Sequence, residues 1–547
     1  MLKLGQIAEK KTKSVAKKAA LLVCSFFLSA CGQVVVYPSE LTATAWALQG
    51  TPLPVSTENP SGSGLSDLEF VTPIVPSPQS TPDVFNTLES APVAIDTPNS
   101  PLTVSTHITP SNGKPPFIYY ALTGDTLPAL SNRFGVDTSQ ISSSESIPLT
   151  GLINPGQLLI IPNNIQEFGP EDAIFPDSEV VYSPSSIGFD TEKYVMDAGG
   201  TLSKYREYLG GKWMNGGEVI QKYAQEYSIN PRLILALLEY QSNWVFGAPQ
   251  NIAQSDYPMG WKDYSQRGLL KQLGWAVKTI NIGYYQWREG KLDTLIFSDN
   301  SDLRIAPSLN AGSVALQYFF SKTIAQRDWN NALYSTESVT ALYEDMFGSP
   351  WLRAQEVEPL YPPDFTQPNF SLPYPVGNTW NFTGGPHAPW GEVGSLAALD
   401  FAPHTDHTGC DPSEEFVTAI STGYVLRDGN GYIIVDLDGD GHEQTGWVIL
   451  YLHLANDGKV QAGQWINAGD PLGRASCEGG LSTGTHVHLA RKYNGEWIAA
   501  AGPVPFNLSG WVAAEGLKPY LGTMTNGDLV STASVVGSHE SNITRLE

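Results

Sequence analysis

The chain has 547 residues, room for three or four domains of ordinary size, and 41% of them are hydrophobic, so packed cores are expected. A formal charge of -24 argues against a polyanionic partner, which sets nucleic acid aside. The first thirty residues contain six lysines and one glutamate, so the rest of the chain carries -29.

Lys10, Lys11, Lys13, Lys17 and Lys18 form a basic run, followed by an apolar stretch from Ala19 to Phe27 and then by Leu28-Ser29-Ala30-Cys31. The apolar stretch is short for a transmembrane helix and fits a targeting segment. The pattern resembles a bacterial lipoprotein signal. That resemblance implies removal of residues 1–30, lipid attachment at Cys31, and a mature protein anchored outside the cytoplasm and facing the cell wall. A plain cleaved signal with an unmodified Cys31 is the competing reading. Residues 31–115 are rich in Pro, Ser and Thr without a hydrophobic period, a composition that stays extended and reads as a stalk.

Residues 116–164 form a short self-contained unit. Ile118 to Leu122 reads as a strand and Gly124-Asp125-Thr126 as a turn into a helix. Leu130 to Phe134 continues that helix and ends it at Gly135, and Asn154-Pro155-Gly156 turns into a final strand. These elements resemble the LysM module, which implies a βααβ fold. They also imply glycan contacts near Gly124, Asp125, Thr126, Asn154, Pro155 and Gly156. The segment Ser142 to Pro148 departs from that family's pattern.

A helical pattern follows over residues 188–352. Asn230-Pro231 is a cap and first turn, and Leu233, Ile234, Leu237, Leu238 and Gln241 make an apolar stripe. Further helices are expected over 275–287, 314–320 and 339–347. The helix from Pro231 to Asn243 resembles the acid-bearing helix of lysozyme-like lytic transglycosylases, with Gln241 where the acid would stand. An amide cannot protonate a glycosidic oxygen, so this all-α domain is expected to be non-catalytic. A helical spacer of other ancestry is the alternative, and Glu239 is the one nearby acid.

The C-terminal third holds His387, Asp400, His453, His486 and His488, each in a stretch that reads as strand or strand edge. Three nitrogen or oxygen ligands plus a water make a hydrolytic zinc site. In His486-Val487-His488 the two imidazoles project from one face of a strand. Alternation in Val448 to His453 places Ile449, Tyr451 and His453 on a common face. His404 and His407, beside Pro403, read as rim residues.

From about Leu372 to Met524 the segments resemble the M23 zinc metallopeptidases that cut peptidoglycan cross-bridges. The twelve residues between His387 and Asp400 are similar to the beta-lytic and staphylolysin branch, as is the closing stretch from Phe506 to Trp511 and on to Tyr520. The resemblance implies an antiparallel β domain over 370–525 with His387, Asp400 and His488 on one zinc ion. It makes His453 and His486 the proton-handling pair.

Of the four cysteines, Cys24 leaves with the signal and Cys31 is taken by lipid, so a Cys410–Cys477 disulfide is expected in an oxidising compartment. Asp436, Asp438 and Asp440, in Asp436-Leu-Asp438-Gly-Asp440-Gly-His442, resemble half of a calcium loop. Trp447 stands where the closing Glu would be, and an acidic hairpin tip competes. Residues 526–547 read as a tail. The expectation is a multidomain, lipid-anchored hydrolase of peptidoglycan peptides. A catalytically silent wall-binding or regulatory lipoprotein is its rival.

Overall fold

The structure, a computed structural model, describes residues 114–404, 409–411 and 413–547. The leader, Cys24, Cys31, the stalk and His407 lie outside the described residues. No helix among the described residues is long and apolar enough to cross a membrane.

The first unit pairs β1 (Phe117–Tyr120) with β2 (Leu158–Ile161) antiparallel, with α1 (Leu127–Phe134) between them. Thr126 caps α1 by accepting from the Ala129 amide, and Gly135 closes it at φ 62°. A second helix was expected; a single 3₁₀ turn at Thr138–Gln140 stands there instead, because the polar Ser142 to Ser146 run supplies no apolar stripe to pack. Asp125 is buried and fully engaged. Its carboxylate takes the Tyr119 hydroxyl at 2.6 Å, the Leu122 amide at 2.7 Å and the Arg133 guanidinium at 2.7 Å. This corrects the expected glycan contact at Asp125, which is a structural pillar. Arg133 also donates to the Trp287 carbonyl at 2.8 Å, fastening the unit to the helices that follow.

Among those helices α3 (Pro231–Ser242) packs against α2 (Gly216–Tyr227) and the helix Val339–Phe347, while α4 (Leu269–Arg288) packs along α5 (Ala311–Thr323) and also meets α2. The Asn230 side chain accepts from the Arg232 amide and Pro231 occupies the first turn, as the sequence indicates. Every residue from Leu233 to Leu238 is fully buried, so α3 is central, with more than a stripe covered. The region is not all-α. Two hairpins, Arg206–Leu209 with Lys212–Asn215 and Thr294–Ile296 with Asp302–Arg304, interrupt it.

The C-terminal domain centres on a nine-stranded sheet, antiparallel throughout. Its strands are β3 (Thr379–His387), β4 (Ala398–Pro403), β5 (Gly423–Gly429), β6 (Tyr432–Asp436), β7 (Trp447–Leu452), β8 (Trp465–Ile466), β9 (Val487–Tyr493), β10 (Glu496–Trp497) and β11 (Asn542–Thr544). The order is β8-β5-β6-β7-β9-β4-β3-β11, with β10 paired to β9.

One face, with Ile433, Val435, Ile449, Tyr451 and Leu489, buries its own core. The other face, with Ile434, Val448, Leu450, Leu452 and Ala490, shares a continuous core with the helical region. The residues expected as a tail are folded: β11 pairs Asn542 with Asn381 at the sheet edge, Ile543 is fully buried, and Arg545 donates to the carbonyls of Leu372 and Tyr374.

Candidate metal centre

Three neighbouring strands bring the ligand candidates together. Register pairs His488 with Asp400 across β9 and β4, and Gly384 with Asp400 across β4 and β3. Shifts in the β3–β4 pairing on either side of Gly384 re-aim the end of β3, so His387 turns in beside Asp400. Gly384 is required there, since a Cβ on it would fall 2.3 Å from Asp400 Oδ2.

His387 Nε2 lies 3.0 Å from His488 Nδ1 and 3.3 Å from Asp400 Oδ1, and His488 Nδ1 lies 3.2 Å from the same oxygen. The far nitrogens settle the tautomers. His387 Nδ1 donates to the Gly385 carbonyl at 2.8 Å and His488 Nε2 to the Pro389 carbonyl at 3.0 Å. In the neutral rings that a metal would bind, both inward nitrogens carry lone pairs, and buried Asp400 Oδ1 has no hydrogen bond.

With both rings neutral, three lone-pair atoms face one another. The spacing approximates the ~3.3 Å edge of a tetrahedron of ligands held ~2.0–2.1 Å from zinc. The donor set of two imidazoles and a carboxylate fits a hydrolytic metal, as the sequence indicates. Burial opposes the Asp400 charge, but His387 and His486 outweigh it and hold the carboxyl well below its ordinary range. Burial likewise presses on His387, yet the Asp400 carboxylate raises its pKa above the ordinary value, while burial lowers that of His488.

His453 and His486 stand beside this set, their ring centroids 4.4 Å apart, and His486 Nε2 is 3.7 Å from Asp400 Oδ1. His453 follows β7 and has φ 65°, a left-handed backbone uncommon outside glycine. The shared face expected for Ile449, Tyr451 and His453 is therefore wrong for the histidine. Ile449 and Tyr451 point into the domain's own core, and the left-handed step turns His453 to the metal side with His486 and His488. Its Nδ1 donates to the Glu478 carbonyl at 2.9 Å. Burial and the two neighbouring histidines push its pKa down to about 3, so it is neutral at physiological pH. His486 Nδ1 donates to the Gly484 carbonyl at 2.7 Å, leaving Nε2 toward the centre.

The expected disulfide is present: Cys410 and Cys477 are bonded. It ties residues 409–411 to the loop before His486, where Thr485 donates its amide to the Gly409 carbonyl at 2.8 Å and its hydroxyl to the Asp411 carbonyl at 2.9 Å.

Sequence reasoning did not single out Tyr520 as a site residue. Its ring stacks on His387 with centroids 4.1 Å apart, and its loop is pinned to β3 by Gly385 and Pro386. Burial and the Asp400 carboxylate raise the phenol's pKa, so it stays a donor. A stacking partner more than 130 residues from its histidine has no local sequence signal.

Other sequence candidates lie outside the centre. His404 is exposed just past β4. Asp436, Asp438 and Asp440 do converge, but Asp436 accepts from the amides of Asp438, Gly439 and Gly441, and Trp447 offers no carboxylate. The arrangement is that of an acidic turn, and calcium finds no support in it. In the helical region Glu239 accepts from the amides of Val245 and Phe246, so it is an end cap, while Gln241 packs against Gly260.

Residues 405–500 match the model of peptidase family M23, and residues 173–361 match that of the LasA N-terminal domain. Protease LasA of Pseudomonas aeruginosa is 25% identical over 361 residues, 61% of this chain and 77% of that protein. Among solved structures, the M23 metalloprotease pseudoalterin is 25% identical, covering 31% of this chain and 96% of that one at a TM-score of 0.26. The catalytic domain of the antimicrobial peptidase lysostaphin from Staphylococcus simulans is 22% identical, covering 22% and 89% at a TM-score of 0.16. The helical region thus carries the LasA N-terminal signature, and with an M23 domain behind it the chain is a metallopeptidase homologous to protease LasA.

Proposed function

We propose that this protein is a zinc-dependent endopeptidase of cell-wall peptidoglycan. In this reading it is exported, held at the membrane through Cys31, and directed to its substrate by glycan contacts of the small β module. The observation that carries the reading is the His387, Asp400 and His488 triad with two further histidines turned toward it. Bound zinc would polarise the scissile carbonyl and lower the pKa of a water toward neutrality.

The chain's own residues supply the rest. When neutral, His387 and His488 turn lone pairs inward, because the Gly385 and Pro389 carbonyls take the protons on the opposite nitrogens. His453, held with Nδ1 donating to the Glu478 carbonyl, presents Nε2 to the reacting centre, where it takes a proton from the attacking water and passes it to the leaving nitrogen. His486, its Nδ1 turned to the Gly484 carbonyl, presents Nε2 beside the reacting carbonyl, where it bears on the charge that develops on oxygen. Tyr520, stacked on His387, fixes that ring and adds a donor at the rim.

The rival reading is a silent wall-binding lipoprotein that keeps the fold without turnover. A zymogram of the intact protein on peptidoglycan, with and without chelator, separates them. Chelator-sensitive clearing that returns with zinc supports the peptidase, and absence of clearing by zinc-loaded protein refutes it.

A further inference from the structure

A cavity of about 230 Å³ lies where the small β module, the helical region, the connecting segment and the peptidase domain meet, and none of the chemistry above uses it. Its inner wall is aromatic, from Tyr285, Tyr361, Phe365 and Trp497, all buried. Buried Arg288 and Glu496 add a charged floor, joined at 3.1 Å, and Tyr285 is held in place by accepting from the Trp497 amide. The mouth is formed by exposed Lys291, Gly502, Pro503 and Glu515, with Lys291 bridging Glu289 at 2.9 Å and Glu515 at 3.1 Å. A second cavity of about 420 Å³ adjoins it, and Gly124, Leu152, Tyr361, Phe365 and Pro503 line both.

The lining selects a ligand class. Each cation is already paired with a carboxylate, so the cavity does not call for a charged guest. Paired carboxylates retain lone pairs that accept from hydroxyls; Phe365 is already stacked between Tyr361 and Trp447, so flat apolar surface meets the Tyr285 and Trp497 rings and the edges of the stacked pair. A ring with one apolar side and a rim of hydroxyls satisfies both, which describes a neutral pyranose. We propose that this junction cavity binds a sugar residue of a glycan strand, with neighbouring units running into the adjoining cavity.

The inference rests on the peptidoglycan reading and deepens it. It places sugar recognition on residues of the helical region and the peptidase domain, beyond the small module's own loops. It also reassigns Gly124, where a Cβ would stand 2.5 Å from Arg288 Nη1: this glycine lets the module seat against the cavity floor.

The test is calorimetric titration of the intact protein with the trimer of N-acetylglucosamine. Two variants are compared with the wild type: Ala501→Trp, which fills the cavity from its wall, and Glu515→Ala, which removes an acceptor at the mouth. Thermal melts serve as the fold control. Saturable binding that weakens at least tenfold in Ala501→Trp and severalfold in Glu515→Ala, with melting temperatures retained, is the expected result. Wild-type binding that survives Ala501→Trp unchanged puts the sugar elsewhere and overturns the proposal, as does absence of saturable binding by the wild type. If Ala501→Trp melts early, Glu515→Ala alone decides, and unchanged affinity there also overturns it. Chelator-sensitive cleavage of a peptidoglycan peptide, measured on the same wild-type protein, is scored separately. Loss of the sugar site with cleavage intact leaves the peptidase reading standing.

Discussion

Replacing Cys410 and Cys477 together by Ser removes a cross-link that spans 67 residues and encloses four strands of the main sheet, β5 to β8. In the chain-entropy account a closed loop of this size restricts the unfolded state by ~4 kcal/mol at 25 °C. The native side changes less, because Thr485 still bonds to the Gly409 and Asp411 carbonyls and holds the two loops together. The expected loss is therefore about 3–4 kcal/mol, most of it arising in the unfolded chain. Urea unfolding of wild type and variant under non-reducing conditions measures it, and the slope should steepen as the uncoupled chain exposes more surface. The loop that carries His486 also loosens, so turnover of zinc-loaded variant falls. A stability loss under ~1 kcal/mol would refute the argument. So would labelling of Cys410 and Cys477 as free thiols in the unreduced, unfolded mature protein.

Among metal ligands, Ala at His387, Asp400 or His488 should abolish stoichiometric zinc by elemental analysis, whereas Ala at His453 or His486 should keep the metal and cut turnover by ~100-fold or more. Metal loss in the His486 variant would reverse the roles within the H-x-H pair. Protons compete with zinc for the inward nitrogens, and because Asp400 raises the His387 pKa, competition begins above the ordinary histidine range. Apparent zinc affinity should hold at alkaline pH and fall as pH drops through neutrality. Equilibrium dialysis against a buffered zinc series checks this, and a flat profile between pH 8 and 6 contradicts it. At the C terminus, Ile543→Ala removes a fully buried side chain from the edge strand and should cost ~2–4 kcal/mol in denaturant unfolding, whereas a tail would give nothing measurable.

What was legible in the sequence follows from the range of each signal. The five site residues could be read because each sits in a short strand segment, and the pleat alone places His486 and His488 on one face. The direction of His453 could not, since its left-handed step interrupts the period that the reading relied on. Val448 to Leu452 is an unbroken apolar run because both faces of β7 are covered, one of them by a core shared with the helical region far earlier in the chain. Helix α3 stood out through its Asn230-Pro231 cap and apolar stripe, whereas α4 and α5, which have no side-chain cap, were legible only over 275–287 and 314–320. The two hairpins among them are three or four residues per strand, too short for a period to register. The folded C terminus escaped because β11 is three residues long and gains its place only by pairing with β3.

The core shared between the helical region and the peptidase sheet has a consequence for synthesis. Chains emerge from the ribosome N-terminal end first, so the helices are complete while Ile434, Val448, Leu450, Leu452 and Ala490 are still to be made. When the sheet arrives, its apolar second face meets a waiting template and not solvent. A peptidase half made alone lacks that cover and presents a broad greasy surface to its neighbours. Its yield in soluble form should then depend on supplying residues 165–357 as a separate chain, a dependence set by order of birth as much as by final stability.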